Sequence, residues 1–170
     1  MSRRTKESNR VFVALGSNIE PERNIREAIR LLASRCRLLA VSPVYQTKPV
    51  GKTDQADFLN AAALIETELG SAELKAQVLQ EIERALGRVR SADKNAPRTI
   101  DLDITLFNDE VFDLVHRHIP DPELLLYAHV AVPIADLAPE YVHPESGQTL
   151  REIAGRISKV GLVPRPDIEL

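Results

Sequence analysis

Tryptophan is absent from these 170 residues, Cys and Met occur once each, and the aromatic complement is four Phe and three Tyr. A lone Cys36 cannot form an internal disulfide and fits a reducing compartment, so a cytoplasmic location is expected. No apolar run approaches the roughly 18 residues of a membrane span, and no membrane association is expected. Met1–Arg10 is polar and basic without an apolar centre, unlike a secretory leader. Excess positive charge is missing too. A formal charge of −3 and a pI near 5.8 leave no global field of the kind that marks nucleic-acid binders. Two glycine signatures are also lacking. There is no Gly-x-Gly-x-x-Gly for a dinucleotide. Gly51-Lys52-Thr53 lacks the glycine that a phosphate loop needs five residues earlier, since position 46 is Gln.

With 44% apolar residues, the chain can bury a core of ordinary single-domain size. We expect a lead-in over 1–10, a domain over 11–158 and a flexible tail over 159–170 that holds Pro164 and Pro166. Val11–Leu15 reads as a buried strand ending at Gly16-Ser17-Asn18. Ile25, Ala28, Ile29 and Leu32 follow at helical spacing behind Pro21. Residues 37–45 and 57–67 read as strands separated by a turn-rich loop. Ser71 caps a second helix with the stripe Leu74, Val78, Ile82, Ala85 and Leu86, stopped at Gly87. A polar loop from Arg88 to Pro97 leads into another strand, and a further helix is expected from Thr149. The order β-α-β-β-α-β predicts a ferredoxin-like α+β fold with an antiparallel sheet, helices on one face and a C-terminal extension. Its first and last strands would be neighbours at the sheet centre.

In Arg98-Thr99-Ile100-Asp101-Leu102-Asp103-Ile104-Thr105-Leu106, a period of two sends Ile100, Leu102, Ile104 and Leu106 to one face and both aspartates to the other. Adjacent carboxylates repel unless a proton or cation lies between them. Arg88, Arg90, Lys94 and Arg98 crowd the preceding loop, and arginine is a bidentate donor suited to phosphate. Hard oxygen ligands beside a basic loop point to Mg²⁺ carrying polyphosphate. Zinc would call for Cys or His at ligand spacing, which this strand lacks. Taken alone, Gln80 and Glu83 read as ordinary helix surface, and Phe58 as a core aromatic close to the polar Asn60.

Five segments recur in order in one known family. They are Ala14–Asn18, Ser42–Pro49, Asp54–Ala62, Gly87–Arg90 and Pro97–Asp103. On these the chain resembles the 6-hydroxymethyl-7,8-dihydropterin pyrophosphokinases of folate biosynthesis, from about Val11 to Ile157. The resemblance implies transfer of a diphosphoryl group from ATP to the pterin hydroxymethyl, with release of AMP. Asp101 and Asp103 would hold two Mg²⁺ ions, and Arg88 and Arg98 would neutralise charge at the reacting phosphorus. Thr47, Lys48, Val50, Phe58, Asn60 and His129 would meet the pterin. Gln80, Glu83, Arg88, Arg90, Lys94, Arg98 and Ile104 would meet ATP. A monomer acting on these two small molecules is expected. The chain departs from the family pattern at Asn95, often Trp, and at Asp121, often His. Tyr127 replaces an arginine, and His129 replaces a carbocyclic aromatic. Two alternatives stand beside this reading: a pterin- or ATP-binding relative with weakened turnover, and a non-enzymatic ferredoxin-like binding module.

Overall fold

The computed structural model describes residues 7–51, 53–89 and 91–170. Strand β1 (Asn9–Ser17) leads into helix α1 (Pro21–Arg35), and β2 (Arg37–Val41) and β3 (Tyr45–Thr47) precede the long β4 (Phe58–Thr67). Helix α2 (Ser71–Leu74) then passes through a π-helical turn (Lys75–Leu79) into α3 (Gln80–Ala85), and β5 (Asp101–Phe107) follows. The sheet runs β5-β1-β4-β3-β8, β8 being Val163–Pro164, with β2 also on β4. All its pairings are antiparallel. The ferredoxin-like order predicted from the sequence is therefore present. The last strand of the unit does neighbour the first, but it lies at the sheet edge rather than the centre.

Alternation along the strands divides the molecule into two apolar layers. Val11, Val13, Leu15, Ala61, Ala63, Ile65, Leu102 and Ile104 pack against α1 and the second helical segment. Phe12, Ala62, Leu64 and Leu106 face the other way, onto α4 (Ala128–Leu137) and α5 (Leu150–Arg156). The expectation of helices on one face thus covers only half the architecture, because the extension beyond β5 supplies the second layer. Leu106 also departs from the expected single face. The register slips between Phe12 and Val13, where Val13 pairs with Ile104 and Phe12 with Leu106. The skipped Thr105 is fully buried and donates its hydroxyl to the Phe12 carbonyl at 2.9 Å.

Three further boundaries differ from expectation. β1 begins at Asn9, so the end of the expected lead-in belongs to the sheet. The strand expected over 37–45 breaks at Ser42-Pro43-Val44, where Pro43 has no N–H to give to a ladder. The tail expected to be flexible instead packs. β8 (Val163–Pro164) pairs with β3, the Arg165 backbone N–H donates to the Val44 carbonyl at 2.8 Å, and Ile168 is buried in the first core layer. The helix expected from Thr149 is confirmed as α5, with the Thr149 hydroxyl accepting from the Glu152 N–H at 3.1 Å. No helix among the described residues is long and apolar enough to cross a membrane.

Candidate active site

Helix α4 covers the second sheet face only in part. Beyond its start the same face runs on uncovered, and there the sequence places polar groups where the core would otherwise continue. Asp101 pairs with Gly16, which pairs on its other side with Asn60, while Asp103 pairs with Ala14. Small residues on the middle strand keep this row low. The open end is the floor of a cleft of about 1050 Å³.

Nearly all the site residues expected from the sequence line this cleft: Thr47, Lys48, Val50, Phe58 and Asn60 on one side, Gln80, Glu83, Arg88, Lys94 and Arg98 on the other, with Asp101, Asp103 and His129. Ile104 is the exception. Its side chain lies in the first core layer, on the opposite face of the sheet from the acids, so it is not exposed to a ligand in the cleft. Arg90 falls outside the described residues. The π-helical turn explains how one helix reaches the cleft along most of its length. An extra residue in the turn re-phases the face, and Ala72, Lys75, Ala76, Gln80 and Glu83 all border the cavity.

The electrostatics centre on the two aspartates. Arg88 Nη1 donates to Asp101 Oδ1 at 2.9 Å, and Arg98 Nη1 donates to Asp101 Oδ2 at 3.0 Å. Burial alone would raise the Asp101 carboxyl, but the two guanidinium groups outweigh it and hold the group below its usual range. Asp103 shifts the other way. Burial and the nearby Asp101 charge push its carboxyl well above the ordinary value, and Arg117 offsets them only in part. Among the described residues Asp103 meets one cation loosely, Arg117 Nη2 at 3.4 Å.

Glu83, read from the sequence alone as helix surface, is almost fully buried. Its Oε2 accepts from Arg88 Nη1 at 3.2 Å and from the Leu102 backbone N–H at 3.3 Å. It therefore anchors both an arginine and the aspartate strand, a role that helical periodicity does not reveal. Arg88 Nη1 also donates to the Ile100 carbonyl at 2.9 Å, which ties the guanidinium to the backbone beside Asp101.

On the opposite side, Asn60 Nδ2 donates to Thr47 Oγ1 at 2.9 Å, which turns the amide oxygen toward Gly16. A Cβ at Gly16 would lie 3.6 Å from that oxygen. His129 sits at the first turn of α4, stacked on Tyr127 with ring centres 5.4 Å apart and planes 22° from parallel. Burial holds its imidazole below the usual pKa, so near neutral pH the ring is an uncharged flat surface.

Asn18, which the sequence places at the end of a strand and in the first of the family segments, joins the two loops over the cleft. Its Oδ1 accepts from the Arg98 N–H at 2.8 Å, and its Nδ2 donates to Gln55 Oε1 at 2.6 Å and to the Ala56 carbonyl at 3.1 Å. Gln55 Nε2 in turn donates to the Asn95 carbonyl at 2.5 Å. Gly51 abuts the same asparagine. Its φ is +84°, and a Cβ there would come within 2.9 Å of Asn95 Nδ2. Arg117 and the buried Asp121 are further members of the site that spacing could not place, because a hairpin of β6 (Phe112–Leu114) and β7 (Arg117–Ile119) brings them back to the cleft.

Comparison with known proteins places the chain in a family. Residues 12–139 match the family model described as 7,8-dihydro-6-hydroxymethylpterin-pyrophosphokinase. A protein of Pseudomonas aeruginosa named 2-amino-4-hydroxy-6-hydroxymethyldihydropteridine pyrophosphokinase is 42% identical over 147 residues, spanning 85% of this chain and 89% of that protein. One of the same name from Bacillus subtilis is 41% identical, over 76% of this chain and 78% of its own length. Among solved structures, the wild-type HPPK-DHPS of Plasmodium falciparum superposes with a TM-score of 0.69 at 13% identity, over 88% of this chain. This chain spans 45% of that one, so the likeness speaks for the shared fold alone. Match length and identity together leave one assignment: the chain belongs to the 7,8-dihydro-6-hydroxymethylpterin-pyrophosphokinase family.

Proposed function

We propose that the chain transfers the diphosphoryl group of ATP to the hydroxymethyl of 6-hydroxymethyl-7,8-dihydropterin and releases AMP. The observation that carries this reading is that one uncovered sheet face holds an acid pair, two buried-side arginines and a flat aromatic–amide corner within a single cleft. Family membership names the substrates that suit those parts.

The donor set fits Mg²⁺. Asp101 and Asp103 are hard oxygen ligands projecting from one face of a rigid strand, and Asp103 carries charge that the protein compensates poorly. Among the described residues no group of three or more His, Cys, Asp or Glu side chains is arranged to hold a metal. Mg²⁺ typically takes one or two carboxylates and completes its shell with water and substrate phosphates. Bound there, Mg²⁺ would neutralise the phosphate chain and polarise the phosphorus under attack.

The remaining work belongs to positioning and charge. The pterin oxygen forms a bond to the β-phosphorus while the bond from that phosphorus to the α–β bridging oxygen breaks, leaving AMP. The hydroxymethyl proton leaves toward the carboxylates of the floor. Arg88 and Arg98 are donors already gathered at the acid pair, and they can transfer hydrogen bonds from Asp101 to phosphate oxygens as a nucleotide enters. Phe58 supplies one flat wall for the pterin, the neutral His129 ring another, and Asn60 the polar edge contact. Thr47, Lys48 and Val50 border the same corner. Gln80 lies on the nucleotide side.

Incubation of the protein with ATP, Mg²⁺ and the hydroxymethyl pterin is expected to release AMP in step with consumption of the pterin. Folded protein that releases none under these conditions overturns the proposal.

A further inference from the structure

The two aspartates are neutralised in different ways. Asp101 has a guanidinium on each oxygen, from Arg88 and Arg98. Among the described residues Asp103 has only Arg117, at 3.4 Å, and about a quarter of its side chain is open to the cleft. Arg117 has a second and closer partner in Asp121, with Nη1 and Oδ2 at 2.5 Å.

Asp121 is a fixed point. It is buried, its backbone N–H donates to the Thr105 carbonyl at 2.9 Å, and its Oδ1 accepts from the Glu123 N–H at 3.0 Å. Arg117 itself springs from a short hairpin rather than from the long basic loop. The hairpin is braced from outside by His118, whose ring nitrogens lie 2.8 Å from Asp113 and from Glu145. The tight bond is therefore the one to the buried Asp121, and the loose one is to the partly open Asp103.

We infer that Arg117 is a tethered stand-in for the cation on Asp103: it neutralises that carboxylate in the metal-free chain, and Asp121 retains it when a divalent ion claims Asp103. The inference rests on the reading of Asp101 and Asp103 as a metal pair. Arg117 acts through Asp103 and Asp121, which makes it a positioning residue. Its physical consequence is competition. A fixed positive charge beside a ligand oxygen weakens metal binding, and the tether limits how far that charge can follow its partner. Removing the arginine frees Asp103 for metal. Removing the tether leaves Asp103 as the arginine's principal anion and strengthens the competition.

The test is titration of the full chain with Mn²⁺ alone, without nucleotide or pterin, read by electron paramagnetic resonance. Thermal melts with and without Mn²⁺ verify folding. Arg117→Met is expected to tighten Mn²⁺ binding by about tenfold, the scale of a screened charge at this range. Arg117→Lys, which keeps the charge, should stay near wild type. Asp121→Asn should weaken binding, and in the Arg117→Met background its effect should largely vanish. Mn²⁺ binding that is lost in Asp103→Asn but unchanged or weaker in Arg117→Met would overturn the stand-in role while the metal pair stands. Binding that is absent from wild type and all variants, or indifferent to Asp103→Asn, removes the metal pair and the inference with it. If Arg117 serves only the triphosphate, these metal-only titrations will not move, and the inference is again overturned.

Discussion

The guanidinium of Arg98 lies over the ring of Phe58, its central carbon 5.8 Å from the ring centroid. The same side chain holds Asp101 through Nη1 and bonds the Lys94 carbonyl through Nη2. The aromatic face best suited to a flat substrate is therefore capped by the cation best suited to its reaction partner. Pterin entry and release of Arg98 toward phosphate become linked steps under the proposed function.

Arg98→Ala separates the two halves of that link. Loss of a charge-stabilising donor is expected to slow the single-turnover step by about 10²–10³-fold. Uncapping Phe58 should leave the pterin KM at or below the wild-type value. An unchanged single-turnover rate, or a KM that climbs with the loss of rate, would show that the contact over Phe58 has no bearing on the reaction.

Asp103 gives a prediction about pH. Its folded-state carboxyl lies above the ordinary value because of burial and the Asp101 charge, so the native metal-free protein binds a proton more readily than the unfolded chain does. Stability that depends on this group is present at low pH and is lost as pH rises from the ordinary carboxyl range through the raised value. Asp103→Asn removes that loss. The metal-free variant should be more stable than wild type by about 1 kcal/mol at neutral pH, with the gap closing near pH 4, while turnover disappears. Denaturant melts across pH check the first part and AMP release the second. A variant less stable than wild type at neutral pH contradicts the charge argument.

Glu83→Gln keeps the shape of a buried anchor and removes its charge. Charge-assisted bonds to Arg88 and the Leu102 N–H weaken together, which should lower stability by roughly 1–3 kcal/mol. With Arg88 less firmly oriented, kcat should fall by about tenfold while the KM for ATP changes far less, since orientation matters most in the transition state. Denaturant melts and steady-state kinetics report both. A loss confined to the ATP KM would mark Glu83 as a direct nucleotide contact instead.

The C-terminal segment offers a purely structural test. Ile168 is 6% exposed and packs into the first core layer. Ile168→Ala should therefore cost about 2–4 kcal/mol, although the residue follows two prolines in a stretch that reads as tail. A change within 0.5 kcal/mol, about the range of an ordinary surface site, would refute its packing. Arg165 reinforces the same seam by donating to Gln46 Oε1 at 2.7 Å.

Where a local period controlled the outcome, the sequence was a sufficient guide. Ile100-Asp101-Leu102-Asp103 alternates because one side of its strand is core and the other is cleft, and the stripe on α1 is continuous. Helix α4 leaves no such mark, for the converse reason. Ala128–Leu137 is apolar on nearly every side, with six of its residues buried and Pro133 inside it, so no amphipathic period marks it. The tail escaped because β8 has two residues and owes its pairing to β3, more than a hundred positions away. Arg117 shows the same limit within the site, since only the hairpin turn brings it to Asp103. Glu83 was legible through family resemblance as a cleft residue. Its hold on Arg88 and the Leu102 N–H depends on burial, which sequence spacing does not report.

The slipped register between Phe12 and Val13 bears on how the site can change. It lets a single strand carry acids at one end and a core leucine at the other, both on the same side of the sheet. Beneath the acids, Ile100, Leu102 and Ile104 are locked into the opposite layer. The floor thus inherits the stiffness of the core, whereas Lys94 and Asn95 stand on a loop and Lys48, Val50 and Gln55 on another. Variation in substrate handling can accumulate in those walls at little cost to folding. A change of register in the floor would have to move two hydrophobic layers at once.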